Sequence, residues 1–347
     1  MTVRPRATDV LVIGGGQAGL AAGYYLRRAK ADFVILDAQE QPGGAWRHVW
    51  PSLRLFSPAQ YSSLPGRMMP IPPDGGCPSA AGTVSYLADY ERRYDLPVQR
   101  PVTVQAVRRA GERLLVETDR GTWPARVVIS ATGTWWRPFL PHYPGTRDFR
   151  GEQLHAAGYR GPEPFAGKRV VIVGGANSGA QILAEVSAIA ETTWVTLRPP
   201  RLLPDELDGR ALFEHATRRL HGDGANLGDI VAVAPVREAR DRGVLKAEPM
   251  FACLTETGVA WADGTTWDCD AIIWCTGFRP ALGHLSPLKL RGPDGLIPVH
   301  GTQAIGEPRL HLLGYGDWTG PASATLIGAG RTARDMVTAI AGQLRLN

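Results

Sequence analysis

The chain has 347 residues, room for two domains of ordinary size or one large one. Lys and Arg number 38 against 33 Asp and Glu, a formal net charge of +5, with 44% apolar and 20% charged residues; that balance is a globular protein's and excludes a disordered or coiled-coil chain. So thin a charge, with no basic run, leaves no footprint for nucleic acid, and no run of about 18 apolar residues offers a membrane span.

In chain order, residues 9–13 form a short apolar run, 17–29 a small-residue helix pattern, and 33–36 a second β-rich run ending at Asp37, a predicted βαβ unit. Residues 51–78, rich in Pro, Ser and Gly, read as loop, and 84–94 as helix. The runs 102–107, 114–117 and 123–130 read as a small antiparallel sheet, the last running on through Ala131 and Thr132 to a glycine turn at Gly133. A second βαβ pattern follows: strand 170–173, a glycine turn over 174–179, helix to about 190, and strand 194–197 before Arg198. Residues 271–277 repeat the strand-and-glycine pattern of 127–133. The tail, strand-like from 310 to Asp317 and Ala-rich helix from about 322 to 344, returns to complete the first module.

The chemistry lies in the turns. Gly14, Gly16 and Gly19 form G-x-G-x-x-G between strand and helix, where the first glycine turns the chain, the second admits a pyrophosphate and the third packs helix on strand. Asp37 follows Gly19 by 18 residues, where an acid holds the adenosine ribose hydroxyls. In the second turn, Gly174-Gly175-Ala176-Asn177-Ser178-Gly179, Ala176 replaces the middle glycine and Arg198 stands in place of the acid. Arg198, helped by Arg201, suits a 2′-phosphate; a solvated strand-end arginine is the alternative. Asn177 and Ser178 either bond the nucleotide or cap the helix. One module closed by an acid and one by an arginine make FAD and NADPH the economical pair, nicotinamide delivering hydride to flavin.

Phe149, Gly151, His155, Tyr159 and Arg160 spell F-x-G-x-x-x-H-x-x-x-Y-R just ahead of the second glycine turn. This resembles the fingerprint of the class B flavoprotein monooxygenases, which include the flavin-containing monooxygenases and the plant auxin-forming enzymes. Gly43-Gly44-Ala45-Trp46 is similar to that family's second flavin motif, Cys275-Thr276-Gly277-Phe278 to its C-T-G-F/Y segment, and Asp317 with the following helix to its closing flavin stretch. With the residues already named, Gln17, Ala18, Ala38, Gly44, Ala45, Trp46, Val104, Ala131, Thr132, Gly133 and Asp317 complete the expected FAD set, and Thr276 and Gly277 the NADPH set.

The resemblance implies a C4a-(hydro)peroxyflavin, formed from reduced flavin and O₂, that passes one oxygen atom to a soft nucleophile of a small molecule: sulfur, nitrogen or trivalent arsenic. Arsenic enters because residues 43–65 are similar to small bacterial flavin-binding monooxygenases encoded in arsenic-resistance operons. The chain departs from the family at Phe56, which stands where many flavin-containing monooxygenases carry an Asn that steadies the oxygenated flavin. A phenyl ring donates no such hydrogen bond. Either Ser57, Arg54 or Tyr61 replaces it, or the oxygenated flavin is short-lived and NADPH ends as peroxide; the auxin-forming relatives also lack that Asn. Arg54, Phe56 and Ser57 are therefore the candidate catalytic residues.

The expected fold class is α/β: two Rossmann-like dinucleotide-binding domains, with the NADPH domain (159–279) inserted into a discontinuous FAD domain (1–158 and 280–347), connections near 149–165 and 278–282, and a hinged active-site cleft. Residues 51–78 and 204–236 are the expected specificity loops. Trp135, Trp136 and Trp318 are candidates for a substrate wall, Trp46 for a flavin cover or an interface filler, and His155 for a linker histidine. The competing reading is an NADPH-dependent flavin reductase without oxygenation. Its disulfide-reducing form needs a redox pair, and Cys77, Cys253, Cys269 and Cys275 include no C-x-x-C. A non-catalytic flavin-binding sensor is a third reading. Cysteine usage points to a reducing cytosol, no metal-ligand spacing is present, and a homo-oligomer is open.

Overall fold

A computed structural model describes residues 5–205 and 229–344. They fall into two compact units, one of Met1–Arg47, Pro58–Trp136 and Pro280–Asn347, the other of His48–Ser57 and Arg137–Arg279. The chain returns to the first unit after Arg279. The first crossing comes after Trp136 instead of 158, because Phe149 is buried among Val171, Val173 and Trp274 of the second unit. Residues 48–57 also belong to the second unit, where Trp50 is buried with Val170 and Ile172.

The first unit carries a nine-stranded sheet. Its parallel heart runs β3 (Val98–Gln99), β2 (Phe33–Leu36), β1 (Thr8–Ile13), β6 (Gly121–Ser130) and β17 (Glu307–Leu312), and β16 (Gln303–Ala304) and β15 (Val299–His300) continue it antiparallel beyond β17. Helix α1 (Gln17–Arg28) links β1 to β2, and α2 (Ala80–Arg93) precedes β3. β6 serves two layers. Its first half pairs antiparallel with β5 (Arg113–Thr118), which pairs in turn with β4 (Val104–Ala110), and its second half pairs parallel with β1 and β17. β1 is buried at nearly every residue, as a strand covered on both faces must be. The closing helix α5 (Leu326–Leu344) begins four residues later than expected, because Ala322 takes a left-handed φ of 55° and Thr325 Oγ1 accepts the Gly328 N–H at 3.1 Å. α2 begins four residues earlier than expected, capped by Ser79 Oγ on the Gly82 N–H at 3.1 Å.

The second unit repeats the plan with a parallel sheet: β10 (Ala247–Pro249), β9 (Glu191–Thr196), β8 (Arg169–Val173), β14 (Ala271–Trp274) and β7 (Glu152–His155). Helix α3 (Asn177–Val186) stops short of 190 because the chain must turn for Glu191, whose N–H donates to Lys168 O at 3.0 Å and opens β9 three residues before Trp194. Helix α4 (Ala234–Asp241) packs on α3, and β11 (Cys253–Leu254), β12 (Gly258–Ala260) and β13 (Thr266–Asp268) make a separate antiparallel sheet. Most of the second expected specificity loop, 206–228, lies outside the described residues.

Candidate functional site

In the first unit the turns after β1 and β6 adjoin at the carboxyl ends of neighbouring strands from which the chain leaves in opposite directions, the place where an open α/β sheet takes a ligand. Ala131 N–H donates to Ile13 O at 2.8 Å. A Cβ on Gly14, whose φ is +107°, would lie 2.5 Å from Ala131 O, and one on Gly19 would lie 1.9 Å from Gly14 O, so the chain's own packing demands both glycines. Gly16 differs: its φ is −81°, and an added Cβ would have only Gly44 Cα nearby, at 3.9 Å. The bare backbone there opens the N-terminus of α1, whose first N–H groups have no partners within the helix. That cradle, which a side chain would fill, fits the pyrophosphate of FAD.

The surrounding FAD candidates brace this turn. Trp46 donates to Gln17 Oε1 at 2.9 Å, and Gln17 donates to Ala324 O at 2.6 Å. Ala18 is buried under Gly314, while Ala38 and Ala45 are exposed and Val104 packs on the core. Asp317 accepts the Ala322 N–H at 3.2 Å, an acid holding its own turn. Asp37 is buried and takes Arg100 Nε at 2.8 Å, while both terminal nitrogens of Arg100 grip Glu91 at 2.6 and 2.7 Å. One guanidinium between two carboxylates leaves no positive charge for a 2′-phosphate, and this end of the site suits plain ribose hydroxyls.

Beside Thr132 and Gly133 lies a buried polar network that sequence reasoning missed. The Tyr315 hydroxyl meets Ser130 Oγ and Thr132 Oγ1, each at 2.8 Å, and His284 Nε2 lies 3.1 Å from Ser130 Oγ. Burial pushes the Tyr315 hydroxyl up and the His284 imidazole down to about 4. Gly-Tyr-Gly ahead of Asp317 was a visible cue to Tyr315; nothing local marks His284. Trp318 donates to Ile297 O at 3.1 Å and packs on the core beside Tyr315. Trp135 is half-buried and Trp136 exposed.

The second unit repeats the turn logic. A Cβ on Gly174 (φ +126°) would lie 2.3 Å from Cys275 O, and one on Gly179 2.2 Å from Gly174 O. α3 has no side-chain cap, which removes the capping reading of Asn177 and Ser178. Asn177 donates to Asp229 O and accepts from Val231 N–H, both at 3.0 Å, so its amide ties down residues 229–231. Ser178 is exposed beside the exposed Ala176. Arg198, two residues beyond β9, is exposed with no ion pair to a described residue, whereas Arg201 lies 3.8 Å from Asp229 and is 70% exposed.

The fingerprint residues hold this unit together. A Cβ on Gly151 would strike the Phe149 ring at 2.3 Å and Asp270 O at 2.6 Å. His155 Nδ1 accepts the Ala157 N–H at 3.0 Å, so Nε2 carries the proton and donates to Gly277 O at 3.0 Å; burial lowers its pKa. Gly277 O also accepts the Phe139 N–H at 3.0 Å, while Thr276 Oγ1 donates to Phe139 O, pairing the two connecting segments. Tyr159 donates to Glu185 Oε2 at 2.9 Å, and burial followed by that carboxylate pushes its hydroxyl up. Arg160 donates to the carbonyls of Ala157 and Tyr159. The other oxygen of Glu185 accepts from Trp50 Nε1 at 3.2 Å and Ser52 Oγ at 2.6 Å, anchoring residues 48–57. There Arg54 is exposed, Phe56 packs on the cluster of Leu203 and Val231, and Ser57 is buried; Tyr61 belongs to the first unit.

The pattern of the family described as pyridine nucleotide-disulphide oxidoreductase matches residues 11–206. The chain belongs to that family. It is similar to a solved flavin-containing monooxygenase of Stenotrophomonas maltophilia, with 54% identity, a TM-score of 0.92, and coverage of 97% of this chain and 99% of that one. An oxidoreductase of Bacillus velezensis named CzcO is 30% identical over 96% of this chain and 99% of its own length. An indole-3-pyruvate monooxygenase of Oryza sativa is 25% identical over 88% of this chain and 82% of its own. The protein is thus an oxidoreductase of that family, built as the flavin-containing monooxygenases are.

Despite the family's description, this oxidoreductase has no paired thiols at its turns. No disulfide joins any two of the four cysteines. Cys269 and Cys275 flank the extended strand β14, which separates them by about 20 Å at the usual rise per residue, far beyond the span of a disulfide. Burial pushes both thiols up to about 12, leaving them protonated and inert. Among the described residues no helix is long and apolar enough to cross a membrane, and no group of three or more His, Cys, Asp or Glu side chains is placed to hold a metal ion.

Proposed function

We propose that the protein is an FAD- and NADPH-dependent monooxygenase of small molecules with a soft heteroatom: sulfur, nitrogen or trivalent arsenic. In balance, NADPH, a proton, O₂ and the substrate give NADP⁺, water and the oxygenated substrate. The observation that carries this reading is the pair of unlike dinucleotide turns. The first is closed by an acid whose neighbouring arginine is already engaged, and the second is followed by the exposed Arg198. The arginine supports NADPH over NADH, since a guanidinium pairs bidentately with a 2′-phosphate. The likeness to a flavin-containing monooxygenase over nearly the whole of both chains supports oxygen transfer. FAD, when bound, supplies the redox and oxygen chemistry; the chain binds, orients and shields it.

Arg54, Phe56 and Ser57 are the proposed contacts at the reacting centre. Because Phe56 donates nothing, Arg54, Ser57 or Tyr61 takes the place of the absent Asn. The cytosol is the proposed compartment, and the small-molecule substrate and O₂ are the proposed partners, with neither nucleic acid nor membrane; self-association into a homo-oligomer belongs to the same reading. The test is a coupling assay: NADPH consumed, peroxide released and oxygenated product formed are counted for a thioether, a tertiary amine and a trivalent arsenical. Product matching most of the NADPH with one class supports the reading. Peroxide matching NADPH with every class favours the reductase, the alternative that Phe56 brings.

A further inference from the structure

We infer that Arg100 is a positioning residue that fixes Asp37 for the adenosine ribose of FAD, so that recognition of the ribose hydroxyl belongs to the pair and not to the acid alone. The inference rests on FAD lying in the first unit. Arg100 stands just past β3, outside the βαβ unit whose glycines and acid make up the dinucleotide pattern. Its Nε donates to Asp37 Oδ2 at 2.8 Å, and the side chains of Arg100 and Asp37 are 10% and 8% exposed. Glu91, in the last turn of α2, takes both terminal nitrogens and holds the guanidinium plane still.

The Asp37 backbone is gripped by the same stretch of chain. Its N–H donates to Gln99 O at 3.0 Å, and its carbonyl accepts the Val102 N–H at 2.8 Å. With the backbone and Oδ2 both held, the remaining oxygen is the one left to a ligand. Among the described residues Oδ1 has only a long 3.4 Å contact from the Gln39 N–H, and a carboxylate oxygen has room for a hydroxyl donor.

Gly15 provides the second observation. It lies outside the three positions of G-x-G-x-x-G and has no left-handed φ, yet a Cβ there would stand 2.7 Å from Asp37 Oδ2 and 2.9 Å from Arg100 Nη2. The missing side chain lets the ion pair lie directly against the turn that carries the pyrophosphate. Without Arg100 the buried carboxylate would have no partner of opposite charge on this side and would turn toward water. Arg100 is already engaged twice by Glu91, so it also leaves the site unsuited to a nucleotide bearing a 2′-phosphate.

The test titrates apoprotein with FAD and with its 2′-deoxyadenosine analogue, following flavin fluorescence, with thermal unfolding of each apoprotein as a check on folding. The natural chain is expected to prefer FAD by about tenfold or more, the worth of one hydrogen bond to a charged group. Arg100→Ala is expected to weaken FAD by about that factor and bring the two ligands within about twofold. Arg100→Lys, which keeps the charge but not the fork, and Gly15→Ala, which displaces the pair, should do the same. If the Arg100 variants bind both ligands more weakly by one common factor, the preference surviving, Arg100 is only structural and the inference is overturned. A natural chain that binds both ligands equally overturns it as well, and one that binds neither overturns the placement of FAD in the first unit.

Discussion

Trp46 donates its indole N–H to Gln17 Oε1 at 2.9 Å, and Gln17 passes the connection on to Ala324 O at 2.6 Å. The Gly44-containing turn, the start of α1 and the loop before α5 are thereby tied at the mouth of the first dinucleotide turn. The indole works as a brace whose polar edge is satisfied, which accounts for a large aromatic in a glycine-rich loop.

Gly14 and Gly16 share a motif but not a reason, and substitution separates them. Gly14→Ala forces a Cβ to 2.5 Å from Ala131 O at a φ of +107° and is expected to destabilise the fold by about 1–3 kcal/mol. Gly16→Ala adds a Cβ that meets only Gly44 Cα, at 3.9 Å, and should leave the apoprotein's unfolding temperature within a few degrees of the natural one, yet weaken retention of FAD. Melting curves with and without flavin, and the yellow absorbance of the purified variant, check both.

Arg198→Ala is expected to lower kcat/KM for NADPH by about 10–100-fold, the worth of a charge-assisted contact to phosphate, while leaving NADH nearly unchanged. Steady-state rates with both nucleotides measure it. An equal loss with both would remove Arg198 from the 2′-phosphate site.

Glu185 accepts from Tyr159, Trp50 and Ser52, so its loss strands three donors at once. Glu185→Ala should cost about 3 kcal/mol or more in denaturant unfolding, and Tyr159→Phe only about 1 kcal/mol. A Tyr159→Phe chain that instead loses turnover at full stability would mean that this fingerprint tyrosine does more than hold the fold.

Acid should weaken the first unit before its carboxylates titrate. His284 is pushed down to about 4 by burial, against 6.5 for a free imidazole, so the unfolded chain takes up this proton first as pH falls. The stability held by neutral His284 is complete above pH 6.5 and is lost toward pH 4, by about 3 kcal/mol. His311, also pushed down to about 4 by burial, adds a similar dependence. Denaturant midpoints from pH 7.5 to 4.5 should fall steadily, and His284→Gln should flatten part of the slope.

Much of this was legible in the sequence because glycine turns and buried strands are local signals. Val10 to Ile13 followed by Gly14 can scarcely be other than a covered strand entering a turn, and the second copy at Val170 reads the same way. The polar partners were not legible. Arg100, Glu185, His284 and Tyr315 act across 26 to 185 residues of sequence, through contacts that exist only once the sheets are assembled. Which unit a segment joins was hidden for a similar reason: Trp50 and Phe149 lie in stretches without periodicity, and only their burial in the second unit shows where they belong. Helix ends were misplaced where a single hydroxyl, on Ser79 or Thr325, decides the start.

The most direct test of the oxygenating function is a single turnover under ¹⁸O₂. Protein reduced anaerobically with one equivalent of NADPH is mixed with labelled oxygen and a thioether, tertiary amine or trivalent arsenical, and the product is weighed by mass spectrometry. The account predicts one ¹⁸O atom in the product of at least one substrate class, with the other in water. Recovery of all the label as hydrogen peroxide, with every substrate unchanged, would contradict it.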